Sequence, residues 1–556
     1  NDGSILNDDR SFQHPSILYI LEDYTSIIET LVEWRRKQGF IVTVIDDNDI
    51  NGSFNTSNIK NYISNAYNNW ENPPEYVCLV GDANGSYDVP TYNVGGGGGW
   101  AGAYGEGDFP YTLLDGNDNL PDIVIGRMSV RSGTELTTVI NKIIGYEKNY
   151  VNDTDWLNAA ALVGDPYDSG ISTVITNEYI ETAMNIHGGI TDIRTKYSGS
   201  SYDSFMRNQI NDGVSYLNYR GFYGFSNFTS TDVDQLTNGY KLPFVTTLTC
   251  DTGSFATDNE CITEALFRAG TPTSPKGAVA VVGTAQAYTH TAFNNIVAMG
   301  MYEGVFINGA RTAGEALIHG QLALSETYPQ NPNNNVYYFS TWNNLMGDPA
   351  TQLWTSRPDN LIVDHNEFLI NGTNNFQVLV TNEFDEPYEG VLVSLYKTSN
   401  DNVQIQTNGY TNSNGIVDFE IDNSITGDVF VTTRCQNCIP VETEFEIRDD
   451  SPEVVLLENS IDIDDSSGNN DGNFNPGESV EISFNIENIS QSQINDLTLH
   501  VESSSNLMSI ENATISSFNI YPNGGISVSG VQITAPSDIS DSIAPEFKVH
   551  LYDASG

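Results

Sequence analysis

The chain has 556 residues and a formal net charge of −51, with 73 acidic against 22 basic side chains. That imbalance repels nucleic-acid phosphates, and no apolar run approaches the roughly 20 residues of a transmembrane helix, so a nucleic-acid partner and a helical membrane span are not expected. With 39% hydrophobic residues, 48 Gly and 21 Pro, the chain reads as a globular protein with room for three or four domains of about 150 residues.

In chain order, short apolar runs that suit buried parallel strands fall at 17–21, 40–45, 76–80, 123–125, 159–163, 214–219, 244–248 and 278–282. Helical patterns lie between several of them. One covers 24–37; another covers 133–150 and puts Leu136, Val139, Ile140, Ile143 and Ile144 on one face. Strand and helix in alternation imply an α/β unit with a mostly parallel sheet, and ligands belong at the carboxyl ends of its strands. The glycine run 95–99 lacks the Gly-Lys-Ser/Thr ending of a phosphate loop and is expected to be a surface loop.

After Trp354 the character changes. Alternating strands at 376–380, 391–396 and 429–433 are separated by Asn/Gly/Asp turns, and a second such unit begins near 451 with strands at 480–486 and 527–533. Two Ig-like β-sandwich modules are expected. The predicted organisation is 1–130 and 131–356 for two α/β subdomains, the second carrying Cys250, then 357–450 and 451–556 for the sandwiches. The last module is expected to continue past Gly556, where the chain stops directly after a strand-like stretch.

Five cysteines make no disulfide framework over this length, and only Cys435 and Cys438 are close together. They predict a small loop disulfide; a zinc or redox site would need a second pair or a βαβ setting.

The segment 242–249 is a buried strand that runs into Cys250 and then the small, polar turn Asp251-Thr-Gly-Ser-Phe255. A strand's carboxyl end is where a nucleophile belongs, and backbone N–H groups of the turn can hold a developing oxyanion. The alternative is a buried, inert thiol, the commoner fate of a lone cysteine.

Here a resemblance becomes specific. The segment 236–244, the Cys250-x-x-Gly-x-Phe turn, Glu264-Ala-Leu-x-Arg268, Trp342-x-x-x-x-Gly-Asp-Pro349, Ile125-Gly-Arg-Met-Ser and Tyr146-Glu-Lys-Asn together resemble gingipain-type (C25) cysteine peptidases over about residues 15–355. The resemblance implies an α/β caspase-like catalytic unit of two subdomains with mostly parallel sheets, followed by Ig-like modules. It also implies a Cys/His mechanism on a protein or peptide substrate, bound Ca²⁺, a prodomain before Asn1, and export by Bacteroidetes to the cell surface or beyond. A monomer with no organic cofactor is expected.

One departure matters. The family's catalytic histidine stands in an Asn-Tyr-x-Gly-His-Gly motif, whereas here Asn218-Tyr-Arg-Gly221 continues as Phe222-Tyr-Gly224. Of the four histidines in the α/β region, His14, His187 and His319 suit surface or packing roles. His290 follows the strand after the one bearing Cys250, and successive strands are usually neighbours. A relocated dyad of Cys250 and His290 is therefore expected, with Asp165, near the family's supporting acid, to orient the imidazole. Backbone N–H groups at Gly221 and Cys250 are the expected oxyanion donors. The alternative is a degenerate site, in a catalytically inactive surface protein that binds or adheres. Arg-specific relatives carry a pocket acid where this chain reads Gly170-Ile-Ser-Thr173, so a basic P1 preference is not expected.

A last motif lies at 462–478, where Asp464, Asp471, Asn473, Asn475 and Glu478 alternate through a Gly/Asn-rich turn. Hard oxygens in flexible geometry suit structural Ca²⁺; an ordinary Asx-rich loop is the alternative.

Overall fold

The computed structural model describes residues 14–552 apart from 86, 96–103, 258, 371–374, 400–401, 422–424, 449–453, 472–473, 491, 504–507, 538 and 540–546. Beyond Gly95, the glycine run 95–99 thus lies outside the described residues, as does Asn473 of the acidic loop. The chain divides into two compact units, 1–367 with 374–446, and 368–373 with 447–556.

The first unit is built on one ten-stranded sheet. Its strands are β1 Ser16–Leu21, β2 Ile41–Ile45, β3 Tyr76–Val80, β4 Val124–Met128, β5 Ala159–Gly164, β6 Asp192–Lys196, β7 Tyr216–Arg220, β8 Phe244–Thr247, β9 Ala280–Thr284 and β10 Asn343–Met346. Their order across the sheet is β2-β1-β3-β4-β10-β9-β8-β7-β5-β6. The five strands from β2 to β10 run parallel to one another, as do the five from β9 to β6. Only the β9–β10 pair is antiparallel, so the two halves point opposite ways.

Burial on both faces explains the continuous apolar runs. Tyr19 and Leu21 enter one core with Leu31 and Val139, whereas Leu18 and Ile20 enter another with Ile59 and Ile63. The predicted helix at 133–150 is Gly133–Glu147. Ser132 starts it by accepting from Glu135 N–H at 3.2 Å. It ends early because Asn149 takes φ +49° and Tyr150 N–H turns back to the Gly145 carbonyl. Buried inside this helix, the Lys142 ammonium donates to the carbonyls of Leu266 and Phe267, which the helix Ile262–Arg268 leaves without partners of its own.

The first unit also contains antiparallel sheets. One pairs Leu361–His365, Asn375–Asn382 and Ile416–Glu420; another places Leu392–Ser399 between Asn402–Tyr410 and Gly427–Arg434. Phe376 stacks on Phe445 with ring centroids 3.9 Å apart. Cys435 and Cys438 form the expected disulfide, and its loop fastens this part to the α/β part. Gln352 Nε2 donates to the Cys435 carbonyl at 2.7 Å, Gln436 Nε2 to that of Leu353 at 2.8 Å, and Thr355 N–H to Asn437 Oδ1 at 2.8 Å.

The second unit is a pair of antiparallel sheets. One joins Val454–Asp464, Ser479–Asn488, Gly525–Thr534 and Ser509–Glu511; the other joins Thr514–Ile520, Ile494–Ser503 and Phe547–Tyr552. Phe484, Val528 and Ile533 from the first share a core with Leu499, Val501 and Ile520 from the second.

Candidate active site

The carboxyl ends of β9, β8, β7 and β5 line one edge of the sheet, and the predicted site residues follow them. Cys250 comes three residues after β8, Gly221 directly after β7, Asp165 directly after β5, and His290 six residues after β9. β8 pairs with β9 on one side and β7 on the other, so the expected neighbour relation between the strands bearing Cys250 and His290 is observed.

Cys250 is 8% exposed and sits in a turn fastened to the end of β9. Thr252 Oγ1 donates within the turn to the Thr247 and Thr249 carbonyls and accepts from Thr284 N–H at 3.1 Å, while Gly253 N–H donates to the Thr284 carbonyl at 3.0 Å. The glycine of Cys-x-x-Gly is needed here, because a Cβ at 253 would lie 3.0 Å from the Gly283 backbone. Asp251 takes φ +65° and donates its N–H to the Gln286 carbonyl, which turns the chain directly after the cysteine.

On the β7 side, Tyr223 and Cys250 form an isolated parallel bridge in which Gly224 N–H donates to the Cys250 carbonyl at 2.9 Å. Tyr223 Oη donates to Asp251 Oδ2 at 2.6 Å. Phe222 is 57% exposed. A side chain at Gly221 would displace the Tyr219 ring, since a Cβ would meet Tyr219 Oη at 2.0 Å.

The thiol meets Thr289. Cys250 Sγ lies 3.1 Å from Thr289 Oγ1, which accepts from Asn294 Nδ2 at 3.3 Å. Asn294 Oδ1 in turn accepts from Asn343 Nδ2 at 3.3 Å, and Thr284 Oγ1 donates to Asn343 Oδ1 at 2.6 Å. A buried polar chain thus runs from the thiol to β9 and β10.

His290, beside Thr289, is the N-cap of the helix Thr291–Phe306, and its Nδ1 accepts from Ala292 N–H at 3.1 Å. In neutral imidazole an accepting Nδ1 leaves the proton on Nε2. The Asp165 carboxylate is engaged by Ser226 Oγ at 2.6 Å and Tyr167 N–H at 3.1 Å, and its own N–H donates to the Arg220 carbonyl. Ser226 Oγ also lies 2.7 Å from Tyr219 Oη, so Asp165 supports the 219–226 turn.

Sequence reasoning passed over Asn294 and Asn343, which carry no signal beyond polarity, and read Thr289 only as part of the polar Thr289-His-Thr stretch that favours an enzyme. It also passed over Arg220, which stands inside the quoted Asn218-Tyr-Arg-Gly221 motif. Arg220 is buried at the end of β7; its Nε donates to Asn295 Oδ1 at 2.8 Å and Nη2 reaches the Thr291 carbonyl at 3.5 Å.

In the acidic loop of the second unit, Ser466 N–H donates to Asp464 Oδ1 at 2.8 Å, Asn475 Nδ2 to Asp471, and Asn469 and Asn475 N–H to the buried Glu478 carboxylate. The oxygens are of the kind Ca²⁺ takes, but they accept from the loop's own donors. No three His, Cys, Asp or Glu side chains among the described residues group as metal ligands.

Among the described residues, no helix is long and apolar enough to cross a membrane.

The family profile of peptidase family C25 matches residues 10–354. Gingipain R2 of Porphyromonas gingivalis is 29% identical over 364 residues, covering 62% of this chain and 47% of that protein. Lys-gingipain HG66 of the same organism is 24% identical over 470 residues, covering 77% and 25%. The chain therefore spans about half the length of the first and a quarter of the second. The crystal structure of the Arg-specific cysteine proteinase gingipain R superposes with a TM-score of 0.68 at 24% identity, over 78% of this chain and 98% of that one. At this identity the superposition establishes the fold, an α/β unit on a large, mostly parallel sheet.

Proposed function

The chain belongs to peptidase family C25, and from that premise we propose that it is an exported, extracellular or cell-surface cysteine endopeptidase acting on protein or peptide substrates. The observation that carries this reading is the placement of Cys250, at the carboxyl edge of the sheet with its thiol on Thr289, one residue from His290. His290 takes the thiol proton, the Cys250 sulfur attacks the scissile carbonyl carbon, and N–H groups at Gly221 and Cys250 take the oxyanion. The C–N bond breaks as His290 passes a proton to the leaving amine, and water then hydrolyses the thioester. Asp165 is the acid assigned to orient the imidazole, its carboxylate now engaged by Ser226 Oγ and Tyr167 N–H. The antiparallel sheets downstream are read as two Ig-like modules.

A second reading, a catalytically inactive surface protein that binds rather than cleaves, draws on Phe222 in the family's histidine position and on the cap bond held by His290. Incubation with a pool of unfolded proteins, followed by mass spectrometry of new N-termini, separates the two. The peptidase reading expects cleavage that iodoacetamide abolishes. Failure to cleave any of the pool overturns it in favour of the second.

Ca²⁺ at Asp464, Asp471, Asn473, Asn475 and Glu478 belongs to the proposal on the strength of ligand chemistry alone. Binding would require these oxygens to exchange the loop's own donors for the cation. After EDTA treatment, added CaCl₂ is expected to raise the melting temperature of the second unit's transition, and Glu478→Gln to remove that rise. An unchanged melting curve in the wild type ends the calcium proposal.

A further inference from the structure

Four buried arginines support the α/β fold, and three are paired with buried carboxylates. Arg35 meets Glu147 and Asp348, Arg127 meets Asp108, and Arg268 meets Asp82 and Glu264. Arg220 differs. It is 1% exposed, no carboxylate pairs with it among the described residues, and its Nη1 has no hydrogen-bond partner there. A buried cation without an anion is costly, and a nearby counter-charge offsets that cost.

The group that can supply this charge is on the next strand. Register pairs Tyr219 with Thr247, so Arg220 and the turn holding Cys250 leave the same edge of adjacent strands. Both side chains then reach the start of one helix: the thiol meets Thr289, and the guanidinium meets Thr291 and Asn295. We infer that Arg220 is the counter-cation of a Cys250 thiolate, forming a buried guanidinium–thiolate pair that ionises the cysteine without a histidine at position 222.

Burial brings the Arg220 pKa down to about 10, and the negative forms of Tyr219 and Cys250 act against that fall. The guanidinium is therefore charged at neutral pH, and its field favours loss of the thiol proton, to His290 where that residue serves as base and otherwise to solvent. Arg220 takes no proton and touches no substrate in this account; it is a positioning residue that sets the charge of the nucleophile. The inference deepens the peptidase reading and rests on Cys250 as its reactive group. It can nevertheless fail separately, because a thiolate can exist in a protein that cleaves nothing.

The test is the pH dependence of Cys250 alkylation by iodoacetamide, read on the Cys250 peptide by mass spectrometry so that Cys78 and Cys261 do not contribute. The wild-type midpoint is expected at least one pH unit below the ordinary thiol value of about 8.5. Arg220→Met should raise the midpoint and slow alkylation at pH 7 about tenfold, while Arg220→Lys should keep most of the wild-type rate. A folded Arg220→Met protein with the wild-type midpoint overturns the pair. Should that variant fail to fold, the wild-type titration still decides, since a midpoint at or above about 8.5 also overturns it. A lowered midpoint together with no hydrolysis would sink the peptidase reading and leave the pair standing.

Discussion

Cys250→Ala is expected to lower kcat for peptide hydrolysis by three to six orders of magnitude, the roughly 10³- to 10⁶-fold loss seen when a covalent nucleophile is removed from a site whose parts act together. The fold should be unaffected, because alanine fits the turn and only the contact of the thiol with Thr289 is lost. The companion change is more discriminating. His290 holds two possible roles, since its Nδ1 caps the helix Thr291–Phe306 and a neutral imidazole has only one accepting nitrogen. To take a proton it must release the Ala292 N–H, at about 1 kcal/mol for a lost cap. Asparagine is a good N-cap but no base. His290→Asn should therefore keep the melting temperature and lose about 10²- to 10⁴-fold in kcat. Wild-type kcat in His290→Asn would remove His290 from the mechanism and leave it as a cap.

Much of the α/β sheet was legible because seven of its strands, β1, β3, β4, β5, β7, β8 and β9, are buried along their length and largely apolar, and the partly buried edge strand β2 is apolar as well. The two that escaped notice are exceptions to that rule. β6, Asp-Ile-Arg-Thr-Lys, is an edge strand with polar residues facing water. β10 opens with Asn343 and Asn344, whose amides bind Asn294, Glu106 and Thr341 rather than filling a core. β10 is also the strand at which direction reverses, so the opposition of the two halves had no local signal.

The motifs that carried the family resemblance have a physical common denominator. Arg127 of Ile125-Gly-Arg, Glu264 and Arg268 of Glu-Ala-Leu-x-Arg, Glu147 of Tyr-Glu-Lys and Asp348 of Gly-Asp-Pro are all buried members of ion-pair networks. They record how the sheet is held together rather than what its site does. Cys250 was readable from its strand and turn. Its polar surroundings were not, because Thr289 and Asn294 come from one segment, Arg220 from a second and Cys250 from a third, and such juxtaposition has no sequence period.

Arg35→Met is expected to destabilise the α/β unit by about 3–5 kcal/mol, the range for breaking a buried ion pair from one side. Arg35 lies in the helix Glu29–Lys37 and is 1% exposed. Its Nη1 donates to both Glu147 oxygens at 2.9 and 2.8 Å and to Gln38 Oε1 at 2.7 Å, while Nε and Nη2 donate to Asp348 Oδ2 at 3.2 and 2.9 Å. Tyr19 Oη from β1 and Ala350 N–H also donate to Asp348, and Trp34 Nε1 donates to Glu147. Burial works against the charge on Arg35, but Asp348 and Glu147 outweigh it and hold the pKa well above its usual value. Methionine fills the volume and removes the cation, which leaves two carboxylates in the core with too few donors. Urea unfolding should show a lower midpoint at an unchanged slope. Adding Glu147→Gln and Asp348→Asn should restore part of the loss, because neutral amides cost less to bury than unpaired carboxylates. A wild-type midpoint in Arg35→Met would mean that the network contributes little beyond what an apolar core of the same shape supplies.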